Sequence, residues 1–422
     1  MKDRARRAIA ECRRIATFSE EHGTEEPGTE ELGSEKLSRI TRRFLTPPMR
    51  EVHAHLRARM AALGMSVQLD AVGNLRGLWR PEGAGSKRLL IGSHIDTVPN
   101  AGAFDGVLGV TLGLEWVGLA QQLALPLAIE VIAFSEEEGV RFGAPFLGSR
   151  AVAGRFDPAL LDLADDEGVT VAEAIRAFGL DPERIGEAVM DAGSIAFVEI
   201  HIEQGPVLEA EGLSIAAVTA IVGQTRLNLE FGGHANHAGT TPMHLRRDAL
   251  AAAAEWITAV EALARRTDGL VATVGRIAVK PNAGNVVPGH TQVSLDVRHA
   301  HDAVRIGAVE ELVTVASTIA AQRGLTVERT DRLDQPAVPM DERLAQMLTE
   351  SIEAAGYPVK SMPSGAGHDA MVMAAKVPTA MLFLRSPGGI SHHPAETVRE
   401  EDVEAALDAG TEFLMRISSI FR

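Results

Sequence analysis

From about Met49 onward, apolar runs of strand length alternate with helix-length amphipathic segments, the pattern of an α/β protein. In the first clear helix Thr46 stands at the cap and Pro47 and Pro48 suit the first turn. Val52, Leu56, Met60 and Leu63 then fall on one face before Gly64 ends it. Strands are predicted at Val67–Leu69, Leu75–Trp79, Leu89–Gly92 and Leu127–Phe134, with a helix from about Val107 to Gln121 between the last two. Near-continuous apolar strands joined by helices imply a mostly parallel sheet covered on both faces.

The rhythm changes after Gly212. Four strand candidates, Ile221–Phe231, Leu270–Val279, Thr291–Arg298 and Leu325–Thr330, leave room for helices between the first and second and between the third and fourth. That is β-α-β-β-α-β, the order of a ferredoxin-like split unit with a small core of its own. After about Asp334 the pattern returns to helix, strand and a closing amphipathic helix through Val403, Ala406, Leu407 and Phe413. The expected organisation is one discontinuous α/β domain, 1–213 and 332–422, interrupted by an inserted α+β domain, 214–331. The acidic segment Phe156–Gly186 reads as a solvated helical excursion, and Ser19–Lys36, without apolar period, as a loop or mobile arm.

Composition narrows the chemistry. A chain of 422 residues with 45% hydrophobic and 23% charged content has ample core material for two or three domains. Its 41 basic and 57 acidic side chains give a formal charge of −16, which disfavours nucleic acid and anionic membranes as partners. The single cysteine, Cys12, excludes an internal disulfide and a thiolate metal cluster, so a metal here needs His and carboxylate ligands. No apolar stretch approaches the ~20 residues that span a bilayer. The charged start, with Arg4, Glu11, Arg13 and Arg14, lacks a signal peptide's apolar core, so the expected compartment is the cytoplasm.

Candidate chemistry gathers at strand ends. Gly92-Ser93-His94-Ile95-Asp96 ends a strand, where ligands of parallel sheets collect, and Asp96 can orient the second nitrogen of His94. Asp105, in Phe104-Asp105-Gly106, opens onto a helix as either cap or ligand. Glu136, Glu137 and Glu138 follow the next apolar strand, and their repulsion needs protons or cations to relieve it. In such a run one carboxylate can bind a metal while its neighbour moves a proton; a solvated acidic turn is the plainer alternative. His201, in His201-Ile202-Glu203-Gln204, and His392, in Ser391-His392-His393-Pro394-Ala395-Glu396, also follow apolar strands. Three histidines and two carboxylates suit a dinuclear zinc or manganese hydrolase. Cys12 lies outside any turn motif, no G-x-S-x-G elbow accompanies the histidines, and no strand-linked G-x-G-x-x-G precedes a helix.

Seven ordered segments, GSHIDTVPNAGAFDG, AFSEEEGVRFG, HIEQGPVLE, HANHAGTTPM, NVVPG with DVRH, SGAGHDA and SHHPAE, run through nearly the whole chain. In them the chain resembles the amidohydrolase and carbamoylase branch of the dinuclear metallopeptidases. That branch includes allantoate amidohydrolases, N-carbamoyl-L-amino-acid hydrolases, β-alanine synthases and ureidoglycolate amidohydrolases. The resemblance implies a zinc-peptidase-like catalytic domain with a ferredoxin-like lid that also forms a homodimer. It implies two divalent ions, zinc or manganese: His94 and His201 on one, Glu138 and His392 on the other, Asp105 bridging both, with Asp96 behind them. His392 rather than His393 matches the Ser-His-any-Pro pattern, and Glu137, directly before the ligand Glu138 and Gly139, becomes the general base and acid. His237 is implied to polarise the scissile carbonyl, and Asn285 and Arg298 to hold the substrate carboxylate. Gln204 and His368 are implied as further substrate contacts, and His234 is not assigned.

The reaction so implied is hydrolysis of a linear ureido group, Glu137 carrying the proton to the departing nitrogen, with release of ammonia and carbon dioxide. The segments GVRFG, FLGSRAVAG and FLRSPGGISH look most like allantoate amidohydrolases. In that reading Arg385 meets the second polar arm of allantoate; the alternative is a salt-bridged strand end. N-carbamoyl-L-amino acids and N-carbamoyl-β-alanine are the competing substrates. A ligand-binding relative without catalysis requires loss of a ligand or the base, and every expected position is filled.

Overall fold

The strand Arg88–His94 is buried almost throughout, and a strand buried on both faces belongs in the middle of a covered sheet. In the computed structural model, which describes residues 1–21 and 39–420, it pairs in parallel with Ala128–Phe134 on one side and Ser194–Ile202 on the other. Thr379–Leu384 continues the parallel set beside Ser194–Ile202. The sheet is antiparallel at its flanks: Leu75–Trp79 runs against Ala128–Phe134 and pairs with Ser66–Leu69, while Ile215–Ile221 runs against Thr379–Leu384. The expected parallel centre is present, and three of the parallel strands end in the segments that carry His94, Glu137 and His201.

Helix Val107–Gln122 explains its own apolar composition, since every residue from Val107 to Ala120 is buried. It is sandwiched between the sheet and the helices Lys2–Ala16 and Glu400–Ser418. Its one carboxylate, Glu115, is 2% exposed and accepts hydrogen bonds from Arg4 (2.7 Å), Arg7 (3.3 Å) and Arg59 (2.8 Å). A buried charge is tolerated only when paired in this way, and the pairing fastens two outer helices to the central one.

The chain divides into two compact units, Met1–Thr219 with Met340–Arg422 and Ala220–Pro339. The boundaries expected at 213 and 331 fall short because Ile215–Ile221 joins the large sheet and because the last strand of the insertion runs on through Thr326–Gln335. The insertion is the expected β-α-β-β-α-β unit. Its sheet has the order Ile277–Lys280, His290–His299, Gly223–Gly232, Thr326–Gln335, all antiparallel. The strand expected at Leu270–Val279 is two strands, Val271–Thr273 and Ile277–Lys280, each paired with His290–His299. Alternate residues Val293, Leu295 and Val297 point into a core with Leu227, Leu229, Phe231 and Trp256, where the Trp256 indole donates to the Leu312 carbonyl (2.9 Å).

The acidic segment Phe156–Gly186 is not a free excursion. Val171, Ile175 and Phe178 between its acids are buried in the main core, and Asp165 accepts a hydrogen bond from Arg141 (2.9 Å). Of Ser19–Lys36, all but the first three residues lie outside the described residues. Among the described residues no helix is long and apolar enough to cross a membrane.

Phe178 packs edge-on against His53, which is 4% exposed. Burial, helped by Arg57 and Arg50, pushes the His53 imidazole down to about 4 from an ordinary 6.5. Between those values the unfolded chain binds a proton that the folded chain does not, so stability is full above pH 6.5 and is lost as pH falls toward 4. The loss amounts to about 3 kcal/mol. Urea unfolding at pH 7 and pH 4 should show a shallower acid loss in His53→Leu than in wild type, and equal slopes would refute the assignment.

Candidate metal centre

His94 is the last residue of its strand and His201 the last but one of the neighbouring strand, and both are essentially buried. The Nδ1 of His94 faces the carbonyl of Asp96 (3.0 Å) and that of His201 faces the carbonyl of Ile202 (2.9 Å). A carbonyl only accepts, so each Nδ1 carries the hydrogen and each Nε2 is left with a lone pair. The two Nε2 atoms lie 3.4 Å apart, and Asp105 Oδ1 lies 3.4 Å from one and 3.1 Å from the other. That oxygen is buried and finds no hydrogen-bond donor among the described residues. Three acceptors thus face one point, which a divalent cation fits and which protons relieve otherwise. Burial works against charge on His94, but Asp105, Glu137 and Asp96 outweigh it and hold its pKa well above the ordinary range.

Asp105 reaches this point because Gly106 turns the chain at φ 66° into the helix; a Cβ there would lie 2.5 Å from the His94 ring. Its second oxygen, Oδ2, faces the opposite way, toward His392 Nε2 (3.4 Å), which in turn lies 3.4 Å from Glu138 Oε1. Ligand atoms of His94, Asp105 and His201, and again of Asp105, Glu138 and His392, lie within 4.8 Å of one another in each group. Despite its burial Asp105 is held well below the usual carboxylate range by His201, His392 and His94. His393 points elsewhere: its Nδ1 accepts from the Ala395 amide (3.1 Å).

Asp96 does its work differently from expectation. Its carbonyl, not its carboxylate, orients His94. The carboxylate, 3.6 Å from the ring, instead accepts from the amides of Glu137 (3.0 and 3.1 Å) and Glu138 (3.1 Å), fixing the acidic loop. Glu136 is wholly buried and accepts from the Arg141 amide (3.4 Å). Burial pushes Glu137 well above the carboxylate range, with Glu138, Asp369 and Asp96 adding to the shift against His94. Burial and Asp105 push Glu138 up to about 7, against His94 and His392. A carboxyl that keeps its proton near neutral pH is equipped to give one up and take one back.

Gln204 donates to Asp105 Oδ2 (2.8 Å) and Ser391 (3.2 Å), so it touches the centre directly. His368 lies beneath it, its ring 4.4 Å from that of His201 and its Nε2 2.9 Å from the Ser364 hydroxyl; burial first, then His201, keeps it neutral. Arg385 is a correction. Its guanidinium is bound to both oxygens of the buried Asp402 (2.9 and 2.5 Å) and to Glu401 (3.3 Å), the salt-bridged strand end rather than a side chain aimed at a ligand. His237, Asn285 and Arg298 belong to the inserted unit. There His237 and Asn285 are neighbours, the Ala238 amide donating to the Asn285 carbonyl (2.9 Å), and Arg298 binds both oxygens of Asp296 (2.9 and 3.0 Å). His234 bridges to Arg247 in the backbone. Sequence reasoning left Glu396 and Glu199 unassigned. Glu396 accepts from the amides of Phe104 (2.8 Å) and Asp105 (3.0 Å), and Glu199 from the Ser93 hydroxyl (3.0 Å) and the Ala370 amide (2.7 Å). Glu396 stood in the quoted SHHPAE run; no spacing rule marked Glu199, inside an apolar strand.

Residues 90–416 match peptidase family M20/M25/M40. The chain belongs to this family. The N-carbamoyl-L-amino acid amidohydrolase of Geobacillus stearothermophilus is 41% identical over 367 residues, 86% of this chain and 90% of that one. The allantoate amidohydrolase of Escherichia coli K12 is 39% identical over 371 residues, 86% and 89% of the two chains. Among solved structures, an amidase of the hydantoinase/carbamoylase family from Burkholderia multivorans superposes with a TM-score of 0.88 at 31% identity, covering 98% of this chain and 97% of that one. This M20 protein is accordingly a hydrolase acting on carbon–nitrogen bonds.

The two adjacent histidines give a direct test. His392→Ala should weaken divalent-ion uptake by about tenfold or more, while His393→Ala should leave it near wild type. Metal content after dialysis measures both, and equal losses would overturn the distinction.

Proposed function

We propose that this M20 amidohydrolase hydrolyses the linear ureido group of a small ureido acid, allantoate, releasing ammonia and carbon dioxide, with two divalent ions, zinc or manganese, in the centre. The observation that carries the two-ion reading is the orientation of Asp105: Oδ1 faces His94 and His201 while Oδ2 faces His392 beside Glu138. Nitrogen and carboxylate donors are the set such ions take. When bound, the ions supply Lewis acidity that makes water acidic near neutral pH. Glu137, fixed through its amide by Asp96, would take a proton from the attacking water and return it to the departing nitrogen.

In this reading His237, Asn285 and Arg298 of the inserted unit are substrate contacts. His237 Nδ1 accepts from the amides of Gly239 (3.1 Å) and Thr240 (3.2 Å), which leaves its proton on Nε2, the donor needed to polarise a carbonyl. In this reading Asn285 and Arg298, the latter sharing Asp296 with Arg226, hold the substrate carboxylate. Gln204 meets the substrate where it now meets Asp105, and His368 is a further substrate contact. The exposed Val271 and Ile277 on the insertion's sheet support a homodimer formed through that unit.

A second reading, hydrolysis of N-carbamoyl-L-amino acids, is favoured by the 41% identity to the Geobacillus stearothermophilus protein and by the engagement of Arg385 with Asp402. Ammonia release from allantoate, N-carbamoyl-L-alanine and N-carbamoyl-β-alanine separates the readings: allantoate should turn over fastest, and a faster carbamoyl amino acid would overturn the substrate assignment. Glu137→Gln should retain its metal and lose about 10²- to 10⁴-fold in kcat; a near-wild-type rate would sink the base. Chelation should abolish turnover and added zinc or manganese restore it, whereas activity surviving exhaustive metal removal would refute the two-ion reading.

A further inference from the structure

His392 adopts φ 55°, a left-handed conformation that a side chain with a Cβ enters only at some energetic cost. Such a residue persists where its surroundings over-determine it. Strong anchors stand on both sides. Ser391, just before it, donates to Asp105 Oδ2 (2.8 Å) and receives Gln204 (3.2 Å). Glu396, four residues on and 5% exposed, takes the amides of Phe104 and Asp105 on one oxygen and lies 3.4 Å from the Ser391 hydroxyl with the other. The chain makes room for this carboxylate at Gly102, where a Cβ would lie 2.6 Å from Glu396 Oε1.

We propose that Glu396 is a positioning residue that locks the loop carrying His392 to the loop carrying Asp105, and so sets the Asp105–Glu138–His392 half of the centre. Glu396 takes the amides of Phe104 and Asp105, and the Asp105 side chain in turn takes the hydroxyl proton of Ser391, so the two loops are joined at two points. His94 and His201 are held separately, by the carbonyls of Asp96 and Ile202. Loss of Glu396 therefore acts unequally: one ion keeps its fixed imidazoles, and the other loses the geometry of His392 and of the bridging oxygen.

The inference rests on the two-ion reading, and the experiment separates the two. Metal-free wild type, Glu396→Ala, Glu396→Gln and Gly102→Ala are titrated with cobalt(II), followed by calorimetry and by the visible absorption of each bound ion. Wild type should take up two ions. Glu396→Ala should bind the first within about threefold of wild type and the second about 10–100-fold more weakly, with altered absorption on the second step. Glu396→Gln keeps an oxygen for both amides and should restore the second step. Gly102→Ala, which displaces the carboxylate without removing it, should repeat the alanine defect should Glu396→Ala fail to fold. A wild type that binds two ions, with alanine variants whose second step is unchanged in affinity and absorption, overturns the role of Glu396. A wild type that binds fewer than two overturns the two-ion reading together with it.

Discussion

Two imidazole lone pairs and a carboxylate oxygen converge on one buried point, and most of the larger unit can be understood as the means of holding them there. Acceptors so placed repel one another, and nothing in a polypeptide other than a cation or a proton reconciles them. The parallel strands bring His94 and His201 side by side, and backbone carbonyls fix both tautomers. A glycine turn then lowers Asp105 onto the pair. The fully buried helix that starts there is anchored by Glu115 and its three arginines, so the loop bearing Asp105 departs from a fixed base.

The same constraint explains the buried acids. Asp96, Glu136, Glu137, Glu199 and Asp369 are all buried around the centre, an arrangement costly for any isolated carboxylate. Asp96 and Glu199 are satisfied by amides and a hydroxyl, and each ties one segment of the site to another. Glu137 is different, because its burial and its acidic neighbours keep a proton within reach. The formal charge of −16 counts these groups as though they were solvated anions. In the folded molecule they form an inner region where protons and cations, rather than water, balance the charge.

Much of this was legible in the sequence because it lay in local runs at strand ends: His94, Asp105, Glu137, Glu138, His201 and His392 each follow or precede an apolar element. Thr291–Arg298 was legible as a strand, and the separate roles of the three glutamates were implied by the resemblance, through the glycine after Glu138. What escaped depended on choices between backbone and side chain or on partners distant in sequence. Whether the Asp96 carbonyl or carboxylate faces His94 is decided by a turn, not by spacing. Arg385 read as a ligand contact because its partner, Asp402, lies on another element. The break between Val271–Thr273 and Ile277–Lys280 is a matter of pairing with one long strand, which apolar content alone does not reveal. In Phe156–Gly186 the acids drew attention away from the three apolar residues that fasten the segment.

The pair of Arg385 and Asp402 also defines the neck of a closed loop. Residues 386–401, which carry His392, leave the strand at one partner and enter the last helix at the other. Because the entropy of closing a loop grows only slowly with its length, such a neck fixes the two ends whatever lies between them. Insertions or exchanges near the tip leave the strand end and the helix start where they are. The loop is thus tied off at its base by one ion pair, independently of the contacts that Ser391, His392 and Glu396 make within it.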